Sequence, residues 1–380
     1  MKAASLLFKN DTFCKEKNMD LLSYDNAQLV LGFGSRALVS DSESYRTIKA
    51  KFPNAAIALC SSSGEIYDQE VIDDSISLVA LAFQATPIQT KAINITNYAS
   101  SFDAGKALIE CFPQEDLKLV FVLSDGGKVN GSELVKGMNT AKGESVLITG
   151  GLAGDGAQFE KTVVGLNQQP EVGEIVAIGF YGAKIKVSHG SLGGWESFGL
   201  QRTVTQSTNN VLSEIDHKNA LELYKNYLGA YAEELPGSAL LFPLSVTLPN
   251  NSVPVVRTIL SIDNEHQTMT FAGDLPVGSK VSFMRANFDK LIDASSNAAQ
   301  NCLDMHDGIP QLALLISCVG RKLILGTRID EEIEAISDIV APSTIVSGFY
   351  SYGEISPLNP MANCELHNQT MTVTCISEID

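Results

Sequence analysis

Five histidines, an arginine behind an apolar run and two glycine-rich loops are the residues here whose types could do chemistry. His189, His217, His266, His306 and His367 include no pair four residues apart, so no helix carries a two-histidine zinc motif. A b-type haem needs only one proximal histidine, so this spacing neither selects nor rejects it. His367 lies in Cys364-Glu365-Leu366-His367-Asn368-Gln369-Thr370-Met371-Thr372, where the threonines and Val373 predict a strand entered from a loop. His189 lies in Ser188-His189-Gly190-Ser191-Leu192-Gly193-Gly194-Trp195. By chemistry alone, a histidine in such a polar loop is more often a hydrogen-bonding residue than a ligand. Arg321, in Cys318-Val319-Gly320-Arg321, could clamp a carboxylate with its forked guanidinium, or pair with Glu354 or another acid.

The glycine-rich segments do not complete a nucleotide motif. Gly150-Gly151-Leu152-Ala153-Gly154-Asp155-Gly156 has no Gly-Lys-Ser/Thr ending. Gly32-Phe33-Gly34-Ser35-Arg36-Ala37 begins like a dinucleotide fingerprint but has Ala37 where glycine is required. There is no Gly-x-Ser-x-Gly elbow, and Cys318 and Cys364 have no local partner for nucleophilic work. No catalytic constellation emerges, so the chain is expected not to be an enzyme.

The elements that position these residues recur three times. Leu29 to Glu65 runs apolar strand, loop, helix near 42–51, second apolar strand 55–60, then Ser61-Ser62-Ser63-Gly64-Glu65. Leu119 to Asp155 repeats the order, with a loop Ser124-Asp125-Gly126-Gly127-Lys128-Val129-Asn130-Gly131, a helix near 132–141 and a turn ending Gly154-Asp155. Leu312 to Glu354 is the third copy: a loop at Val319-Gly320-Arg321, a helix over 329–339, and a close at Gly348-Phe349-Tyr350-Ser351-Tyr352-Gly353-Glu354. Short unbroken apolar runs alternating with helices predict buried, mostly parallel strands. Each copy ends in glycine followed by an acid, at the strand edge where open α/β sheets bind ligands.

Between copies two and three the pattern turns to β. A helix over 219–228 leads to Pro236-Gly237, and hairpin-like strands and a helix over 286–305 follow. The resulting fold class is α/β to α+β: an N-terminal α/β domain with a mixed sheet over 1–230 and a smaller C-terminal α+β domain over 231–380. With 27 Lys and Arg against 44 Asp and Glu, the net charge of −17 repels a nucleic-acid backbone. The N-terminal apolar stretch is shorter than a secretory signal requires, and no run reaches the ~18 apolar residues of a membrane span. Seven scattered cysteines without a CxxC pair fit reduced thiols, so a cytoplasmic location is expected.

Taken together these segments resemble the FIST family of bacterial sensory proteins. The likeness is carried by 150–156, His189 through Trp195 to Thr205, and Phe271-Ala272-Gly273-Asp274-Leu275-Pro276-Val277-Gly278. It continues through Ser317 to Arg321, Gly348 to Ile355 and Leu366 to Thr370. A free-standing chain of this size is similar to the NosP type. That resemblance implies a signal-transduction sensor binding haem b and sensing nitric oxide. It implies His367 as axial ligand with His189 next, Tyr350 and Tyr352 as alternative ligands, and Arg321 on a propionate. The output is expected on another chain, a histidine kinase or a cyclic-di-GMP cyclase or phosphodiesterase, and a homodimer is possible. The alternative is a haem-free module for a small metabolite such as an amino acid, gripped by Arg321 and the Gly353-Glu354 turn.

Overall fold

The computed structural model describes residues 1–380 except 236, 250–252, 358–362 and 380. Pro236, half of the expected domain boundary, lies outside the described residues. Each sequence repeat supplies the centre of one six-stranded sheet. Leu29–Gly34 pairs in parallel with Ala56–Ser61, Leu117–Ser124 with Leu147–Leu152, and Leu312–Cys318 with Ile345–Ser351. These are the apolar runs, buried on both faces because a sheet neighbour lies on one side and helices on the other. An antiparallel strand flanks each pair: Ile76–Ala82, Glu174–Tyr181 and Met371–Glu378. The sheets are therefore mixed.

The strand at or after each Gly-acid step leaves its own sheet and adds to another. Glu65–Tyr67 pairs with Ile345–Ser351, Gly353–Pro357 with Leu147–Leu152, and Val164–Leu166 with Ala56–Ser61. The exchange closes a ring of three sheets around one core, where Phe33 stacks on Phe349 at 4.8 Å with Phe121 in the same cluster. Helices cover the outer faces, among them Ser42–Lys51, Gly131–Ala141 and Phe288–Asp304. Their starts are fixed by side-chain caps: Asp41 accepts from Ser44 N–H, Asn130 from Glu133 N–H and Asn287 from Lys290 N–H.

A fourth, eight-stranded sheet forms a second unit, inserted in the chain between the strand Ile185–Leu192 and the Phe288–Asp304 helix. It includes Glu196–Thr208, Val211–Ile215, Ile259–Asp263, Thr268–Phe271 and Lys280–Arg285, and it packs the Ala220–Leu228 helix into its own core. Position 230 falls in the 3-10 segment Gly229–Glu234 of this unit, and both ends of the chain build the three-sheet body. The expected loop at Val319-Gly320-Arg321 is instead the first turn of a helix, Val319–Leu325. Gly320 is accommodated there because the Gln369 amide packs where a Cβ would stand, 2.4 Å away. Among the described residues no helix is long and apolar enough to cross a membrane.

Candidate functional site

A cleft of about 720 Å³ opens where the three-sheet body meets the eight-stranded sheet. That volume falls in the range of small-molecule sites. Three body segments converge on it: the Gly126-Gly127-Lys128 loop with the start of the Gly131–Ala141 helix, the Phe159-Glu160-Lys161-Thr162 loop, and Cys318 to Gly320. Thr258 to Ser261 and Thr270 to Gly273 form the wall from the eight-stranded sheet.

The body's loops are held before any ligand arrives. Buried Asp125 accepts from the backbone N–H groups of Gly127, Lys128 and Gly173, each at 2.7 Å, and Thr162 Oγ1 accepts from Gly126 N–H at 2.9 Å. Asp155, the acid that closes the second repeat, accepts from the N–H groups of Phe159, Glu160 and Lys161, and Arg36 donates to it at 2.9 Å. Tyr352 donates its hydroxyl to Asp155, and its ring stacks on Phe159 at 4.7 Å. Burial and the Asp155 carboxylate push the Tyr352 phenol well above its ordinary range. Burial, with Glu354 nearby, pushes the Cys318 thiol up as well, so it stays protonated and weakly nucleophilic.

Two buried polar atoms of the cleft wall lack any protein partner. Asn368 is fully buried; its amide Nδ2 donates to the His367 carbonyl while Oδ1 is unpaired. Thr258 is 4% exposed and its Oγ1 is likewise unpaired.

Of the candidate ligand-binding residues His367, His189, Arg321, Tyr350, Tyr352, Gly353 and Glu354, Tyr352 is the one on this wall. His367 is buried, its Nε2 lies 2.9 Å from the Ser356 carbonyl, and burial pushes its pKa down to about 4. His189 is also buried and lowered, its ring donating to the Pro357 carbonyl. Arg321 pairs with Glu332, not with Glu354, at 2.6 Å from Nε to Oε1, and Tyr350 donates to the same carboxylate at 2.8 Å. Gly353 packs against Leu152 and Leu366. Glu354 accepts from the hydroxyls of Ser351 and Thr370. These groups are drawn inward because strand exchange places the third repeat's closing turn between two sheets. Sequence reasoning missed Lys128, Lys161, Thr258 and Asn368. Lys128 had a signal, its place in a glycine-rich βα loop, whereas Thr258 comes from the other unit and had none.

A haem in this cleft would lack an axial ligand. No imidazole is among the cleft's described walls, the Tyr352 phenol is committed to Asp155, and the Cys318 thiol is protonated. The residues present do not fit the group there.

Glu354 has a counterpart in Glu65 of the first repeat, which accepts from the hydroxyls of Ser62 and Ser75. Burial raises each to a pKa of about 8. Unfolded glutamate ionises near pH ~4.3, so across the window between, the native state holds protons that the unfolded chain has released. Stability therefore falls as pH rises from about 4 to 8. The slope of the urea midpoint against pH should flatten in Glu65→Gln/Glu354→Gln. An unchanged slope would mean that both carboxylates are ionised in the native protein.

The FIST N domain family matches residues 28–218 and the FIST C domain family residues 220–357. No curated protein matches the chain. Among solved structures, cyanuric acid hydrolase from A. caulinodans aligns over 100% of this chain and 99% of its own at 8% identity and a TM-score of 0.36, too loose a likeness to argue from. Both domains occur in order over most of the chain, and the cleft is walled by residues from each, so this chain belongs to the FIST family of small-ligand sensory domains.

Proposed function

We propose that the chain is a non-enzymatic sensor whose ligand, a small polar metabolite rather than haem, binds in the cleft between the three-sheet body and the eight-stranded sheet. The observation that carries this reading is the pair of buried, unpaired polar atoms, Asn368 Oδ1 and Thr258 Oγ1, on opposite units of one cleft. Leaving such an atom unpaired costs about 1–3 kcal/mol, which a ligand's hydrogen bond recovers.

A ligand touching both walls favours the arrangement in which both contact it. At present the units are joined beside the cleft by Asp274, which accepts from Asn130 and Lys136, and by Arg257, which donates to the Leu366 carbonyl at 2.8 Å. Occupancy would tighten this junction and alter the surface shown to a histidine kinase or a cyclic-di-GMP enzyme on another chain. Nitric oxide sensing through haem would require His367 or His189 to leave its present hydrogen bond.

A thermal-shift screen of polar metabolites tests the proposal. A ligand at 100 times its Kd should raise Tm by about 2 °C or more, and Gly127→Trp, which plugs the cleft from an exposed loop where a Cβ meets only ordinary van der Waals contacts, should abolish the shift. A Soret band on haem addition, lost in His367→Ala/His189→Ala, would overturn the haem-free reading.

A further inference from the structure

We infer that the cleft selects a planar-ring anion that also carries an N–H or O–H donor, an inference that rests on the cleft's being the ligand site. Charge supplies the first requirement. The protein has a net charge of −17, yet the charged side chains on this wall are Lys128, Lys161 and Glu160. Glu160 is drawn toward Arg36 at 3.6 Å, while neither lysine ammonium has a carboxylate within salt-bridge reach among the described residues. The Gly131–Ala141 helix also begins at this cleft, with Gly131 on the wall. Its N-cap Asn130 is engaged by Glu133 N–H, whereas the first-turn N–H groups of Gly131 and Ser132 precede any intrahelical acceptor. A helix of this length presents partial positive charge at that end.

The donor requirement comes from a separate observation. Asn368 lines the cleft with its amide N–H given to the His367 carbonyl, so the group it has left to satisfy is its carbonyl oxygen. Such an acceptor is satisfied by an N–H or O–H, and a simple inorganic anion without a proton leaves it unpaired. Thr258 Oγ1, on the wall from the other unit, can donate or accept.

The ring requirement comes from the rim. Phe159 is 49% exposed, with one face stacked on Tyr352. It adopts φ +54°, a conformation that is an outlier for a bulky side chain. The three N–H bonds to Asp155 hold it there, and such held strain is concentrated at ligand clamps. Leu260 and Ile259 line the same cleft from the other unit. A flat ring seated on Phe159 would lie next to Lys161 and within the reach of both walls.

Isothermal titration with indole-3-acetate, 4-hydroxybenzoate and orotate, each beside its primary amide, tests the class. At least one carboxylate should bind, its amide at least tenfold more weakly. Lys128→Gln/Lys161→Gln should weaken the carboxylate about tenfold and flatten its salt dependence, and Phe159→Ala should weaken it about tenfold. All three residues are exposed, so these variants should keep the wild-type Tm. Binding by none of the three carboxylates, equal binding of acid and amide, or indifference to the lysine substitutions would overturn the inference. A neutral metabolite that binds the wild type but not Gly127→Trp would overturn it while leaving the cleft as the site. A ligand indifferent to Gly127→Trp would instead remove the cleft reading itself.

Discussion

Arg321→Ala should destabilise the fold by about 3–5 kcal/mol, measured as a fall in the urea midpoint at unchanged m-value. Arg321 and Glu332 are both fully buried. The guanidinium donates to Glu332 at 2.6 Å, to the carbonyls of Gly193 and Leu291 at 2.6 and 2.7 Å, and to Ser295 Oγ at 2.9 Å. Glu332 in turn accepts from Ser295, Ser317 and Tyr350. Deleting the cation strands a buried carboxylate and takes a donor from the Gly193 and Leu291 carbonyls, and the first of these dominates because an uncompensated charge is the costlier loss. Arg321→Lys should recover only part, since an ammonium cannot reproduce the planar fork. Arg321→Met/Glu332→Leu should be milder than Arg321→Ala, because no charge is left behind. An Arg321→Ala variant within about 1 kcal/mol of wild type would show that water reaches Glu332 once the arginine is gone.

The same arginine shows how far the sequence could be read. Its place behind an apolar strand was visible, and so was the choice between a ligand clamp and an ion pair. What decided the matter was Glu332, on the Ile329–Ser337 helix packed against that strand, and no local pattern marks which acid of a helix turns inward. The three repeats were legible because each opens on a short apolar run, passes through a helix and closes on glycine and an acid. The exchange of the next strand into a different sheet was not. All three receiving edges are equally apolar, so the periodicity is satisfied by pairing within a copy or between copies. The buried acids followed from the exchange: a turn expected at a ligand-facing edge is covered by a neighbouring sheet, and Glu65 and Glu354 lose their water. The cleft was half legible. Its glycine-rich loop lies at a strand's carboxyl end, where the α/β rule places ligands. Its far wall comes from a unit whose docking depends on Asp274 and Arg257, single residues with no motif around them.

Gly348→Ala and Gly150→Ala should each abolish soluble expression or lower stability by about 4 kcal/mol or more, large effects for a single added methyl. Gly348 has φ +158° and faces Leu315 across a parallel pair; Gly150 has φ +150° and faces Val122. A Cβ at Gly348 would stand 1.8 Å from the Leu315 carbonyl oxygen, and one at Gly150 would stand 1.9 Å from that of Val122. The obstacle is backbone of the sheet centre, which no rotamer change relieves, so the strands must separate and lose ladder bonds along with the apolar contacts of both faces. Gly156→Ala separates this clash from backbone preference. Gly156 has φ +71° with nothing within 4 Å of its Cβ position, so its substitution should cost only about 1–2 kcal/mol. Urea midpoints of the three variants give the comparison, and equal losses would mean that conformational preference, not the close approach, sets the cost. The consequence reaches the cleft. Four residues beyond Gly150 the chain enters Gly154-Asp155, and four beyond Gly348 it reaches Tyr352, so any variant that folds with a displaced strand moves the Asp155–Tyr352 contact that fixes Phe159. Such a variant should lose ligand-induced thermal stabilisation before it loses the fold.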